Sequence, residues 1–549
     1  MATPTYQQAI KDEARRFVLG RAVTTLTTDR DRSVIVAVPE FDEALEYAIS
    51  FLERHNLAQP LLRPDLVRHA AEWRGLHKSV VGSKTPADLR VLYLSGPEPQ
   101  NDLSVLLELG VVPQNIWAIE SKAAMYQGAV EQLRRADQYL RIHHGGLDTS
   151  FDSTNERFDI VYIDDCGALP SARANTVRNP LLMFHRERLA AMGVLITNFA
   201  QPPIEKRSEY ERLLCYYFAP RYNDCPCALI CAGADPAEAH ADPTYLLPFI
   251  QDNFDETYSD FITRFLVDLG REIVPCSRIY DNKDIRDKYF SPGAQLQKAI
   301  ERATKLNPPP HRHADETAEE YLKALFMQIG DVLLNSAGYP VLTFLRNAAG
   351  DRTLDGLMQP LLAHKLRSES IEKSFTNAAI LAKVIEGHWG AASTEMRVAL
   401  AQSWIDSRGG VFCDIPLPNL LINSLFGIYG HPYLPNARRS VRLSYTAKST
   451  KMYTDLLVLD QCRYFFDYLP TIDLIPNRFR SVGYQLVLRA CLDQMGRHDF
   501  SSSAHPFRGA ALGAFGEFPS ARFYDFLPRA ERPPWVAVGE DPDISGGGE

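Results

Sequence analysis

Acidic side chains follow two apolar runs of the sequence, at positions where buried strands would end. Glu120 follows the run at residues 116–119, and Asp164 and Asp165 follow the run at residues 158–163. Apolar runs of this length are typical of strands buried in a parallel sheet. Ligands bind beyond the carboxyl ends of such strands, where a carboxylate can hold hydroxyl groups or take up a proton. These three acids are therefore the first candidates for chemistry.

The segments around the acids alternate between strand and helix patterns. A first apolar run at residues 90–94 leads into a short loop and then into a helical pattern that Asn101 can cap and Gly110 can end. Glu120 lies 24 residues beyond Gly96, close to the separation of roughly 20 residues that is usual for a ribose-binding acid. Further helical patterns (residues 121–141 and 181–192) and a strand pattern (residues 193–199) continue the alternation. The order predicts a nucleotide-binding βαβ unit within a doubly wound, mostly parallel α/β sheet.

Residues 89–203 resemble the core of class I S-adenosylmethionine-dependent methyltransferases, which have a Rossmann-like fold. The resemblance implies S-adenosylmethionine as cofactor, wrapped by the first loop, with Ser95, Gly96 and Glu98 in contact with it. It implies that Glu120 holds the ribose hydroxyls and that Asp148, the acid after the third strand, contacts the adenine edge.

The resemblance also implies that the loop after the fourth strand faces the methyl group and the substrate. Asp164 and Asp165 would then be catalytic, orienting the acceptor or taking its proton. Cys166 could act as a nucleophile only if its pKa were lowered. Neither the Pro-Cys pair of cytosine-C5 methyltransferases nor the Asn/Asp-Pro-Pro-Tyr signature of amino-methylating DNA enzymes is present, so the acceptor atom is not identified.

The first loop also supports an alternative function. Gly96 is its single glycine, and Pro97 and Pro99 each lack an amide donor for a ligand. The alternative is a catalytically inactive methyltransferase-fold protein that serves as a binding or assembly subunit.

A basic stretch at residues 436–453 predicts a nucleic-acid contact. Tyr445 and Tyr453 interleave with five cations there, namely Arg438, Arg439, Arg442, Lys448 and Lys451. Such cations match phosphates, and aromatic faces can stack on unpaired bases. We therefore expect methyl transfer to a macromolecular acceptor, with nucleic acid favoured. The alternative is a solvated basic face with core aromatic residues.

Composition limits the remaining classes. A net charge of −9 excludes a globally basic nucleic-acid binder but not a local basic patch. No apolar run reaches about 18 residues, so no membrane span is expected. The N-terminus lacks a secretory pattern, and nine scattered cysteines suit reduced thiols, so we expect a cytoplasmic protein. The cluster Cys225, Cys227 and Cys231 reads better as a packed strand at residues 228–231 than as a metal site, and His311 and His313 read as linker residues.

A chain of 549 residues is long enough for roughly two to four domains. Residues 1–86 predict a mainly helical extension with helices at residues 6–19 and 40–55 and a strand at residues 33–38. The remaining boundaries are the methyltransferase-like core at 87–240, a helical extension at 241–306, a Pro-rich linker at 307–314, a mainly helical region at 315–532 and a flexible acidic tail at 533–549. The helical region could serve as a platform for a protein partner.

Overall fold

A computed structural model describes most of the first 290 residues and several later segments. The described residues are 9–54, 61–171, 173–221, 229, 232–289, 340–362, 365–366, 369–370, 393–394, 427–447, 449–471, 474–498 and 535–537. They form an α/β architecture in which helices flank a mostly parallel central sheet. Among these residues, no helix combines the length and the apolar character needed to cross a membrane.

The described strands form one nine-stranded sheet and one small hairpin. The strands are β1 Val91–Leu94, β2 Ile116–Glu120, β3 Arg141–His144, β4 Phe158–Asp164, β5 Leu189–Ala200, β6 Lys365–Leu366, β7 Glu369–Ser370, β8 Leu434–Pro435, β9 Val441–Ala447, β10 Thr450–Asp460 and β11 Trp535–Ala537. The large sheet has the order β11-β9-β10-β5-β4-β1-β2-β3, with β8 paired to β10, and β6 pairs with β7 separately.

The described helices lie before, between and after the strands. They are α1 Ala9–Leu26, α2 Arg30–Ser33, α3 Val38–Arg54, α4 Leu62–Val81, α5 Gln100–Glu108, α6 Ala123–Arg135, α7 Leu147–Ser153, α8 Arg178–His185, α9 Arg207–Phe218, α10 Pro236–Ala241, α11 Leu247–Asp252, α12 Phe254–Asp268, α13 Val274–Asp281, α14 Lys283–Tyr289, α15 Pro340–Ala349, α16 Asp355–Leu362, α17 Arg463–Phe466, α18 Ile475–Arg478 and α19 Val482–Arg497. A π-helical turn, Leu269–Ile273, joins α12 to α13.

The first five strands are parallel, as the alternating sequence pattern predicts. Strand β1 lies between β2 and β4, with Val91 opposite both Ile116 and Ile160. The side chains of β4 are almost all buried, which explains its nearly continuous apolar sequence. The predicted α/β class with a mostly parallel sheet is confirmed.

An antiparallel hairpin, β9 and β10, extends the sheet beyond β5. Strand β10 pairs with β5 along nine residues, including Leu456 opposite Ile196, and β9 pairs with β10 on its other side. These strands come from residues 434–460, inside the stretch that the sequence assigns to a mainly helical region. The sheet therefore extends past the predicted core of residues 87–240, because alternating buried residues in β10 supply a partner for the outer edge of β5.

Several local predictions are wrong at their boundaries. The predicted strand at residues 33–38 is a buried bend, because Asp460 and the Tyr464 hydroxyl accept hydrogen bonds from the amides of Ile35 and Val36 and leave no ladder to form. The predicted helix at 181–192 ends at His185, since Glu187 has a positive φ of 51° and β5 begins at Leu189.

Other predictions lie partly or wholly outside the described residues. Within the predicted strand at residues 228–231, Leu229 is described and is helical. Within the predicted tail, Trp535–Ala537 is described and forms β11, which pairs with β9. The Pro-rich linker with its two histidines, the cysteines at positions 225, 227 and 231, and Lys448 lie outside the described residues.

Candidate functional site at the carboxyl ends of the parallel strands

A cavity of about 620 Å³ lies at the edge of the sheet where the parallel strands end. The loops after β1, β2, β3 and β4 all contribute to its wall, and the β9–β10 hairpin and α1 complete it. Its lining includes Ser95, Gly96, Glu98, Glu120, Asp164, Asp165 and Cys166. The sheet thus brings together all but one of the residues that the sequence predicts for cofactor binding and catalysis.

Glu120 stands at the end of β2 and is buried against the cavity wall. Its Oε1 accepts a hydrogen bond of 2.7 Å from the amide of Lys122, which fixes the carboxylate. The carbonyl of Glu120 accepts from the amide of Gly145, so the loop after β3 is tied to the same point. Among the described residues, Oε2 has no hydrogen-bond partner. An oriented carboxylate with one oxygen left for a ligand suits the binding of hydroxyl groups.

The loop after β1 opens at Gly96. Its φ of 58° lies in the left-handed region that glycine tolerates, and a Cβ added there would meet no atom within 4 Å. The amide of Ser95 donates to the carbonyl of Ile119, and Glu98 accepts a hydrogen bond from the side chain of Asn101. The loop is therefore pinned on both sides of Gly96, while the space above its Cα stays open.

Asp164, at the end of β4, is the most connected side chain of the site. Its Oδ2 lies 2.7 Å from the Lys11 ammonium. Its Oδ1 accepts hydrogen bonds from the Asn198 amide and the Cys166 thiol, both at 2.9 Å. Burial alone would raise the pKa of Asp164, but the Lys11 charge and these hydrogen bonds hold it below its usual range. Asp164 is therefore ionised.

Asp165 is the opposite case, although it is the next residue. Its Oδ1 accepts a hydrogen bond of 2.7 Å from Asn179, while its Oδ2 is buried without a hydrogen-bond partner among the described residues. Burial raises the pKa of Asp165 to about 7, and Asp164 adds to that increase. Adjacent carboxylates whose environments separate their pKa values are typical of acid–base sites.

Cys166 is not an activated nucleophile in this setting. Part of the residue is exposed at the cavity, but burial of its thiol and the adjacent Asp164 charge raise the pKa of Cys166 to about 12. The thiol donates a hydrogen bond to Asp164 and stays protonated at neutral pH. The condition for a nucleophilic Cys166, a lowered pKa, is not met.

Asp148 is the predicted cofactor residue that does not line the cavity. It lies in the first turn of α7, one residue beyond the lining residues Gly145, Gly146 and Leu147. Its Oδ2 accepts a hydrogen bond of 2.7 Å from Arg178, which does line the cavity. Asp148 therefore acts on the site by holding Arg178.

The predicted nucleic-acid residues that are described all pair with carboxylates. The pairs are Arg438 with Glu40, Arg439 with Asp29, Arg442 with Asp260 and Lys451 with Asp255, at N–O distances of 2.6, 3.3, 2.9 and 2.9 Å. Tyr445 and Tyr453 are buried in the hairpin rather than presented as stacking platforms. The structure thus resembles the alternative prediction, core aromatic residues beneath paired cations, more closely than an open basic surface.

The site also contains residues that sequence reasoning missed. Lys11 and Arg15 reach the cavity from α1, and Arg15 pairs with the buried Asp102 at 2.8 Å. Asn198 donates to both Asp164 and the Tyr445 hydroxyl, which connects β4, β5 and the hairpin. Lys11 and Asp164 are 153 positions apart, so no local spacing could have joined them. Among these, only Asn198 carried a sequence signal, its place at the end of a strand.

The described residues include no group of three or more His, Cys, Asp or Glu side chains arranged to hold a metal ion. Comparison with known proteins adds no assignment, because no protein-family model and no curated protein sequence matches the chain.

Proposed function

We propose that the cavity binds S-adenosylmethionine and that the protein transfers its methyl group to an acceptor with an N–H or O–H group. The observation that supports this proposal is the meeting of Glu120 with the unequal pair Asp164 and Asp165 in one cavity. Ligands of parallel α/β sheets bind at this edge. The resemblance of residues 89–203 to class I methyltransferases supplies the identity of the cofactor.

The residues present fit the proposed cofactor. The cavity volume of about 620 Å³ lies within the range of about 300–1,000 Å³ that is usual for small-molecule sites. Glu120 would hold the ribose hydroxyls, and the open space above Gly96 would admit the ligand close to the backbone. The hairpin that ends the sheet is also frequent in the family that the sequence resembles.

The chemistry would divide between the two aspartates. When bound, S-adenosylmethionine supplies a methyl group, and the electron pair of the broken carbon–sulfur bond stays on sulfur as the acceptor forms its new bond. Asp165 would take the acceptor's proton on Oδ2, since a pKa of about 7 leaves a large fraction ionised at neutral pH. Asp164 would stay ionised beside Lys11 and hold Asn198 in place.

The proposal is tested by calorimetric titration with S-adenosylmethionine and with its demethylated product. Wild-type protein is expected to bind both, and Glu120→Ala is expected to weaken each by about tenfold or more, the value of a charge-assisted hydrogen bond. Glu131→Ala, on the exposed side of α6, is the matched control and should bind like wild type. Circular dichroism checks that the variants fold. Unchanged affinity in Glu120→Ala would remove this residue from the site.

The acceptor class is tested with a radiolabelled methyl group. The protein and labelled S-adenosylmethionine are incubated with separate nucleic-acid, protein and small-molecule fractions, and incorporation is counted in each. Asp165→Asn should bind the cofactor normally and incorporate little label, because an amide takes up no proton.

The alternative, a binding or assembly subunit that has the fold without the activity, is favoured by Pro97 and Pro99 beside the single glycine of the first loop. A folded wild-type sample that binds neither ligand would support it.

A further inference from the structure

A second cavity, of about 340 Å³, lies at the opposite edge of the sheet from the proposed cofactor site. Its wall contains the first residues of β4 and β5, the last residue of β10, and the loop after α4. The charged residues that line it are Arg30, Lys84, Arg463, Asp159 and Asp460. None of these residues contributes to the first cavity.

Arg30 is the unusual member of this group. It is 6% exposed, yet its guanidinium makes no ion pair with any described carboxylate. Its Nε donates to the carbonyl of Val81 at 2.7 Å, and its Nη1 makes a longer contact of 3.5 Å with the carbonyl of Leu26. Nη2 has no hydrogen-bond partner among the described residues. A buried charge is normally paired, so this arrangement lacks a counterion.

The other charged residues around the cavity are already matched. Lys84 contacts the buried Asp159, and Arg463 pairs with Asp467. Asp460 accepts three hydrogen bonds, from the amides of Ile35 and Cys462 and from the Tyr464 hydroxyl. Asp159 and Asp460 act on Arg30 from beyond contact distance, and burial still lowers the pKa of Arg30. The cavity therefore retains one guanidinium whose charge no direct contact neutralises.

Two further donors stand beside Arg30. The Ser83 hydroxyl lines the cavity and has no hydrogen-bond partner in the part of the chain that the structure describes. The Lys84 ammonium is only partly buried, so it can contact a ligand while it keeps Asp159. A planar guanidinium, an ammonium and a hydroxyl together suit an oxyanion that accepts hydrogen bonds from several directions.

We propose that this second cavity binds the phosphate group of a small soluble molecule, with Arg30 as the main ligand and Lys84 and Ser83 as additional donors. The ligand supplies the counterion that Arg30 lacks. The site is separate from the proposed methyl-transfer site, so each can be tested without the other.

The experiment is a calorimetric titration of the full chain with inorganic phosphate and, separately, with adenosine monophosphate. Saturable binding to wild type is expected, and Arg30→Gln should weaken it by about tenfold or more, because it removes a charge-assisted pair. Lys84→Ala should weaken it less. Arg90→Gln is the matched control, since Arg90 pairs with Glu156 near the same edge and does not line the cavity.

The outcomes separate the possible sources of phosphate. Binding of inorganic phosphate supports a free anion, and binding of adenosine monophosphate alone supports a phosphate ester with a larger body. The proposal is overturned if neither ligand binds, or if Lys84→Ala and Arg30→Gln both bind like wild type. Lys84→Ala decides alone if Arg30→Gln does not fold. S-adenosylmethionine titration of Arg30→Gln should match wild type, whatever the phosphate result.

Discussion

The carboxyl edge of the parallel strands and the basic stretch at residues 436–453 both concentrate charge, but they balance it differently. Each described cation of the basic stretch contacts a carboxylate from another part of the chain. At the carboxyl edge, Asp165 keeps a buried oxygen without a described partner and a pKa of about 7. Matched charge is typical of architecture, and unmatched buried charge is typical of sites that wait for a ligand or a proton.

The largest expected effect tests the architectural role of the hairpin. Arg442 and Asp260 are both buried and lie 2.9 Å apart, so Arg442→Ala would leave a carboxylate buried without its cation. We expect the free energy of unfolding to fall by about 3–5 kcal/mol. Urea denaturation monitored by circular dichroism measures this.

The matched control for that experiment is Arg439→Ala. Arg439 and Asp29 are more exposed and 3.3 Å apart, so the loss should stay below about 1 kcal/mol. Equal, small losses for both variants would mean that Arg442 is as dispensable as a surface cation, and the comparison would lose its structural half.

A smaller effect is expected at the carboxyl edge, with opposite signs at adjacent residues. The pKa of Asp165, about 7 when folded, exceeds the unfolded value of about 3.9, so the folded state holds a proton that the unfolded state has lost between these values. Asp165 therefore stabilises less as pH rises through this window. Asp165→Asn should raise the free energy of unfolding at pH 8 by about 2 kcal/mol relative to its effect at pH 4.

Asp164→Asn is the comparison variant for that experiment. The pKa of Asp164 is held below its usual range, so its contribution is present above pH about 4 and is lost as pH falls through the folded pKa. Asp164→Asn should therefore destabilise the protein at pH 8 and approach wild type in acid. Denaturant unfolding at a series of pH values measures both variants, and the same sign for both at pH 8 would contradict the assigned ionisation states.

The two regions also differ in how far the sequence could predict them. Glu120, Asp164 and Asp165 follow apolar runs, and parallel strands must bring their carboxyl ends to one edge, so local pattern and topology together predicted the cavity. Lys11 and Tyr445 reach the same cavity from distant segments, through contacts that no local spacing encodes.

The hairpin shows the reverse limit. Residues 441–460 alternate as strands, but their cations read as a surface because the sequence nearby has no acid until Asp455. The counterions come from α1–α3 and from α12, about 200 to 400 positions away. Local charge density therefore indicates a basic stretch and leaves open whether tertiary contacts neutralise it.

The smallest expected effect concerns that neutralisation. Arg438 and Arg439 are the more accessible arginines of the basic stretch, and each is held by a carboxylate. We expect the double substitution Arg438→Gln and Arg439→Gln to change affinity for single-stranded RNA or DNA oligonucleotides by less than about twofold, because paired cations release few counterions. A nucleic-acid contact would instead reduce the slope of log affinity against log salt by about 1.5, or about 0.7–0.9 for each phosphate lost. Arg134→Gln with Arg135→Gln, on α6, is the charge-matched control, and a slope change confined to the first pair would restore the basic stretch as a binding surface.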